Sequence, residues 1–222
     1  MCQVQAMNPT RLLGAWKTLI LSPHIDDEVL GCHAFLSPSA RVCYFGVEDR
    51  TEVSARERVQ ELEAAAAHKG FTWELLTFTV NRYPTAALIT PIEEQINQWQ
   101  PTCVLIPHPS YNQDHRAVHD AAWTALRPHD RNWFVPVVLV YEQPHVRLWP
   151  YGPGLEPNFF VPVDLEDKLA TYRLYRSQVR GHRPPEVLEA MARFRGAQAG
   201  LPHAEGYVCM RLVVGERTVP RV

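Results

Sequence analysis

The feature that most constrains this chain is an alternation. Short, nearly all-apolar runs are separated by longer stretches that carry helix signals. Residues 17–21, 41–46, 71–79, 102–107 and 135–141 read as strands. Between them, residues 52–69 are charged and alanine-rich, lack Gly and Pro, and stop at Gly70, as a helix with a glycine terminus does. Residues 85–100 are helical in pattern and read as entered through Pro91, and residues 114–127 read as a helix closed by Pro128. A Pro/Gly-rich loop (143–157), a strand (158–163), a helix (165–177) and a last strand (207–214) follow. Strands alternating with helices require right-handed crossovers and a parallel sheet. The unbroken apolar character of the first, fourth and fifth runs suits strands covered on both faces. The expected fold is α/β: one Rossmann-like, three-layer α/β/α domain over residues 1–222 with a mostly parallel sheet.

Sheets of this kind bind ligands beyond the carboxyl ends of their strands, so chemistry is to be sought just after each strand. No G-x-G-x-x-G follows the first strand, and neither a G-x-x-x-x-G-K-[ST] nor a G-x-S-x-G occurs, which removes the main support for dinucleotide, P-loop and serine-hydrolase readings. A net charge of −2 leaves no electrostatic footprint for nucleic acid or an anionic membrane. No run approaches the roughly 18 apolar residues of a membrane span. The five cysteines, Cys2, Cys32, Cys43, Cys103 and Cys209, form no C-x-x-C pair. With an N-terminus that lacks a basic segment followed by an apolar one, they point to a reducing, cytoplasmic setting.

The first strand is followed by Ser22-Pro23-His24-Ile25-Asp26-Asp27-Glu28. His24 and Asp27, three apart, share a face if they lie on a first helical turn, and an imidazole with a carboxylate makes part of a zinc shell. Asp26 then points elsewhere and is free to act as a base. Acids also favour a first turn through the helix dipole alone, but capping does not account for His24, so the metal reading is preferred. The fourth strand is followed by His108-Pro109-Ser110-Tyr111-Asn112-Gln113-Asp114-His115-Arg116-Ala117-Val118-His119. If strands one and four flank the switch in strand order, the two loops meet and a second histidine can complete the shell. His115 and His119 are four apart, but Arg116 stands where an H-E-x-x-H site has its general base, and His119 reads as packing. Arg50, Arg56 and Arg58 follow the second strand; of these Arg58 is the candidate for contact with an anionic substrate group. Asn81, after the third strand, is a candidate for contact with sugar hydroxyls.

P-H-x-D-D-E after a first strand, with a later x-x-D-H loop, resembles the PIG-L/LmbE-like family of zinc-dependent N-deacetylases, which remove acetyl groups from N-acetylglucosamine-type sugars. Arg58-x-x-Glu61, Tyr141-Glu142, residues 156–160, Lys168, Ser177-Gln178 and residues 204–207 are similar to its later landmarks. The resemblance implies one divalent zinc ion held by His24, Asp27 and His115 at the carboxyl strand ends, with Asp26 as general base and Asp114 orienting a neighbour. It also implies that Asp26 takes a proton from the attacking water and returns it to the departing amine, giving acetate and a free amino sugar. The family often reads H-P-D-H in the second motif, with the first histidine stabilising the oxyanion. Here Asn112 holds that place, a donor without charge. His108, His119 and His203 stay open as alternatives.

The reading that follows is an N-deacetylase whose partner is a small amino-sugar conjugate. The same metal chemistry on another small amide, such as an antibiotic sugar, is a second reading. A non-catalytic sugar-binding domain with a relict site is a third; it is disfavoured because Asp26 serves chemistry rather than zinc binding. Oligomeric state, monomer or homo-oligomer, is left open.

Overall fold

A computed structural model describes residues 16–129, 131–149 and 154–214. The N-terminal segment with Cys2, and part of the 143–157 loop, lie outside the described residues. Seven strands form one sheet: β1 (Thr18–Ser22), β2 (Ala40–Tyr44), β3 (Thr72–Leu75), β4 (Cys103–Pro107), β5 (Val137–Tyr141), β6 (Phe159–Pro162) and β7 (Ala204–Leu212), in the order β3-β2-β1-β4-β5-β7-β6. The first five pair in parallel, and β7 runs antiparallel between β5 and β6. This is the mostly parallel sheet expected from the alternation.

The apolar runs are explained by what covers them. Successive side chains of a strand point to opposite faces. Ile20 of β1 packs with Leu62, Tyr172 and Leu188 on one side of the sheet, while Leu19 and Leu21 pack with Leu88, Ile92 and Val118 on the other. Both faces are therefore core, which makes three layers. Each fully buried aliphatic side chain contributes roughly 1.5–3 kcal/mol, so the all-apolar central strands hold the layers together.

Helix α1 (Asp27–Gly31) is short and leads out of β1. Gly31 lets it lie directly on the end of β5, for a Cβ there would stand 2.4 Å from Glu142 O. Helix α2 (Ala55–Lys69) begins with a capping box between Ser54 and Glu57 and ends at Gly70, whose φ of 79° is left-handed. Helix α3 (Thr85–Trp99) departs from expectation, because Pro91 lies inside it rather than at its entrance. Pro91 cannot donate to the preceding turn; burial of Leu88, Ile92 and Ile96 offsets that loss. Helix α4 (Gln113–Ala125) follows β4, α5 (Pro144–Leu148) follows β5, and α6 (Leu165–Leu174) leads to a 3-10 turn (Arg176–Gln178). Helix α7 (Pro185–Ala199), absent from the sequence reading, carries Pro at its first position and left-handed Gly200 at its end. β3 is shorter than the 71–79 run. Beyond Leu75 the chain stays extended and bonds only intermittently, Leu76 N donating to Tyr44 O and Phe78 N to Phe45 O.

Candidate active site

β1 and β4 are neighbours, and the strand order grows outward from them in both directions. The loops after Ser22 and Pro107 therefore converge above the carboxyl edge, over a cavity of about 740 Å³. The first loop is tightly built. Ser22 Oγ donates to His24 O at 2.9 Å, Tyr83 Oη donates to Pro23 O at 2.8 Å, and the Arg58 guanidinium donates to Ile25 O. Asp26 has φ 117°, a left-handed conformation for a residue with a side chain. Such a backbone costs of order 1–3 kcal/mol and persists only where its surroundings enforce it. Here Asp26 N donates to Glu28 Oε2 at 3.1 Å, and Asp26 O accepts from Leu30 N at 3.1 Å.

Three donor atoms meet at the cavity floor. His115 Nε2 lies 3.3 Å from His24 Nδ1 and 3.3 Å from Asp27 Oδ2, and His24 Nδ1 lies 3.4 Å from Asp27 Oδ2. A tetrahedral ion with bonds of about 2.0–2.1 Å needs donor separations of about 3.3–3.4 Å, so the spacing suits such an ion. The other face of His24 is held by Asp114, whose Oδ2 is 3.0 Å from His24 Nε2. Asp114 is fully buried and also accepts from the backbone of Asn81 at 2.6 Å and of Tyr83 at 3.4 Å. Histidines that bind metal commonly carry such a carboxylate behind them. Burial opposes a charge on His24, but Asp114 and Asp27 overcome it and raise its pKa to about 10. Burial would likewise raise the Asp27 carboxyl, yet His115 and His24 hold it well below the usual range.

The remaining candidates divide. Asp26 is not free: its Oδ2 sits 2.6 Å from Arg183 Nη2, supplied by the turn before α7. Asn112 caps α4, its Oδ1 accepting from Asp114 N at 2.9 Å, and it lines the cavity. Arg58 lines the cavity too, but it is buried and its donors go to Glu61 Oε2 and Ser177 Oγ, both at 3.2 Å, and to Ile25 O. The guanidinium staples the loop that carries His24 and Asp26 while standing on the cavity wall. Asn81 is exposed on the lining, with its Oδ1 3.1 Å from Gln113 Nε2. Neither His108, His119 nor His203 lines the cavity: His119 Nδ1 is 2.9 Å from Pro107 O, and His203 borders a separate hollow beside α6.

Sequence reasoning missed two residues here. His145, just beyond β5, places its ring centroid 5.0 Å from that of His115, edge to face, with Nε2 2.9 Å from Ser110 Oγ. Burial, then neighbouring His115, pushes its pKa down to about 3. The rule that drew attention to the loops after β1 and β4 applies equally after β5 and would have found it. Arg183 had no such signal, since it precedes a helix that the reading did not contain. The cavity mouth carries exposed Tyr111, Leu148 and Trp149.

Residues 19–126 match the family model described as PIG-L: GlcNAc-PI de-N-acetylase. No curated protein matches the chain. Among solved structures, an N,N'-diacetylchitobiose deacetylase from Pyrococcus horikoshii is similar, at 20% identity and TM-score 0.73, over 92% of this chain and 86% of that one. The A40926 pseudoaglycone deacetylase is similar at 21% identity and TM-score 0.69, over 90% and 99%. A 4-carboxy-2-hydroxymuconate hydratase from Pseudomonas putida is similar at 19% identity and TM-score 0.72, over 91% and 100%. At these identities the likeness is one of fold.

Proposed function

We propose, from the PIG-L family domain that residues 19–126 carry, that this chain is a metal-dependent hydrolase removing an N-acetyl or related N-acyl group from an amino-sugar conjugate. The observation that carries the proposal is the set of 3.3, 3.3 and 3.4 Å separations among the donor atoms of His24, Asp27 and His115. Zinc fits this donor set of two imidazoles and a carboxylate best. When bound, zinc supplies the positive charge that makes water acidic and an amide carbonyl electrophilic.

The chain's own residues do the rest. Asp114 fixes the tautomer of His24 by holding Nε2, which turns Nδ1 inward. Asp26 takes the proton of the attacking water and gives it to the departing amine. Arg183 holds Oδ2 of Asp26, and Oδ1, without a partner among the described residues, is the oxygen that receives the proton. The amide oxygen of Asn112 is used in capping, which leaves its nitrogen to donate to the oxyanion. The exposed rings of Tyr111 and Trp149 at the mouth suit the apolar face of a sugar.

The test is simultaneous measurement of acetate and free amine from a panel of N-acetylglucosaminides and N-acylated antibiotic sugars. Equal release of both products from at least one supports the reading. Tight binding of sugars with neither product would instead favour a sugar-binding domain.

A further inference from the structure

The proposed reaction makes no use of Arg180, which lines the cavity. After the 3-10 turn, the chain reverses over residues 180–183: Arg183 N donates to Arg180 O at 2.9 Å, and the two residues form an isolated antiparallel bridge. The base of the turn is pinned by Tyr172 Oη, which lies 2.8 Å from Gln178 O and 2.9 Å from Arg183 O and shares its one proton between them. Pro184 and Pro185 follow at once and start α7. The turn is thus held rigidly, and Arg180, His182 and Arg183 all line the cavity.

These three side chains are not in the same state. Arg183 is committed to Asp26. Arg180 donates to the neutral amide oxygen of Gln178, at 3.0 Å, and no carboxylate pairs with it among the described residues. The carboxylates of the cavity are otherwise engaged: Asp26 with Arg183, Asp27 between His24 and His115, and Glu48 with Arg50. His182 is exposed beside Arg180. A guanidinium on a stiff turn, facing a cavity with its charge unneutralised, is matched to an oxyanion. Its planar fork binds carboxylate and phosphate in two parallel hydrogen bonds, with little entropy left to lose.

We infer that the turn at residues 180–183 is an anion subsite, in which Arg180 and His182 take a carboxylate or phosphate group carried by the non-sugar part of the conjugate. The inference rests on the proposed function for the identity of the sugar, but not for the binding itself. It makes an anionic conjugate the preferred substrate and a neutral glycoside a poor one.

Three matched substrates test it: methyl N-acetylglucosaminide, its carboxymethyl analogue and N-acetylglucosamine 1-phosphate. The wild type is expected to prefer the two anions. Arg180→Gln should lower kcat/KM on them by about tenfold or more, chiefly through KM, as loss of a charged hydrogen bond does. The neutral glycoside should change less than about twofold on that argument, and exposed Arg131→Gln, away from the cavity, should leave all three unchanged. Equal kcat/KM for charged and neutral substrates, or an equal loss on all three in Arg180→Gln, would overturn the subsite. Calorimetry with glucose 1-phosphate against methyl glucoside, neither of which has an amide, separates the two proposals. Selective binding of the phosphate that Arg180→Gln abolishes upholds the subsite even if no acetate is ever released. Indifference to the phosphate refutes the subsite even if deacylation is found.

Discussion

Arg183 Nη2 stands 2.6 Å from Asp26 Oδ2, tying the left-handed residue of the loop after β1 to the turn before α7, 157 positions along the chain. A carboxylate held on one oxygen and open on the other is arranged to move a proton rather than to complete a ligand shell. Asp26→Asn is therefore expected to keep bound metal and to lose about 10²–10⁴-fold in kcat. Metal content and turnover measured on one preparation check this. Loss of the metal in Asp26→Asn would mean that Asp26 and Asp27 have exchanged roles.

His115 Nδ1 is buried and has no hydrogen-bond partner among the described residues, while Nε2 faces His24 and Asp27. Removing the ring takes away one of three donors. Added zinc should raise the melting temperature of the wild type, by about 2.7 kcal/mol of stability at 100-fold excess over Kd, and should leave that of His115→Ala unmoved. The same shift in the variant would place the metal elsewhere.

Asn112 has two separable tasks. Its oxygen caps α4 and its nitrogen is the proposed oxyanion donor. Asn112→Ala should lose both, costing about 0.5–2 kcal/mol of stability along with turnover. Asn112→Asp keeps an accepting oxygen and loses the donor. It should retain stability while kcat falls by up to about 10²–10³-fold. Full activity in Asn112→Asp would transfer the oxyanion role to another group, and His145 is then the first to examine.

Glu205 gathers one end of the sheet. Its carboxylate lies 2.5 Å from Lys168 Nζ and accepts from Tyr207 Oη at 2.6 Å and from the backbone of His33 and Ala34 at 3.1 and 2.9 Å. Burial would raise its pKa, but Lys168 and the other donors hold it below the ordinary carboxylate value. A depressed carboxylate stabilises the fold above about pH 4.3 and loses that contribution as pH falls below it. His33 nearby is pushed down to about 3, first by burial. The unfolded chain therefore takes up a proton there below about pH 6.5 that the folded chain refuses. In urea unfolding His33 predicts stability falling as pH drops below about 6.5, and Glu205 adds to the fall only below about pH 4.3. Glu205→Gln should cost about 3–5 kcal/mol at pH 7, since it leaves Lys168 buried without its partner. A pH-independent unfolding curve, or a silent Glu205→Gln, would contradict this account.

The layered fold was legible because burial on both faces writes itself into β1, β4 and β5 as unbroken apolar runs. The two loops that bring His24, Asp27 and His115 together were legible because the strand-end rule locates them and both are rich in ligand-type residues, while the choice of His115 within its loop rested on the family resemblance. Pro91 misled, since local propensity carries no knowledge of the apolar face that keeps α3 intact around it. Arg58 was legible as a residue near the cavity, but its hydrogen bonds to Glu61, Ser177 and Ile25 O depend on tertiary contacts that the local sequence does not carry. α7 was overlooked although Pro185 and Gly200 mark its ends, and with it went Arg183, whose partner is far away in sequence.

The central claim is that His24, Asp27 and His115 together hold the ion on which N-deacylation depends. The most direct measurement is acetate release from an N-acetylglucosaminide by chelator-treated protein, titrated with zinc. The account predicts no release without metal, recovery saturating at one equivalent per chain, and no recovery in His115→Ala at any zinc concentration near that range. Activity that survives complete removal of metal, or that zinc restores equally in His115→Ala, would contradict it.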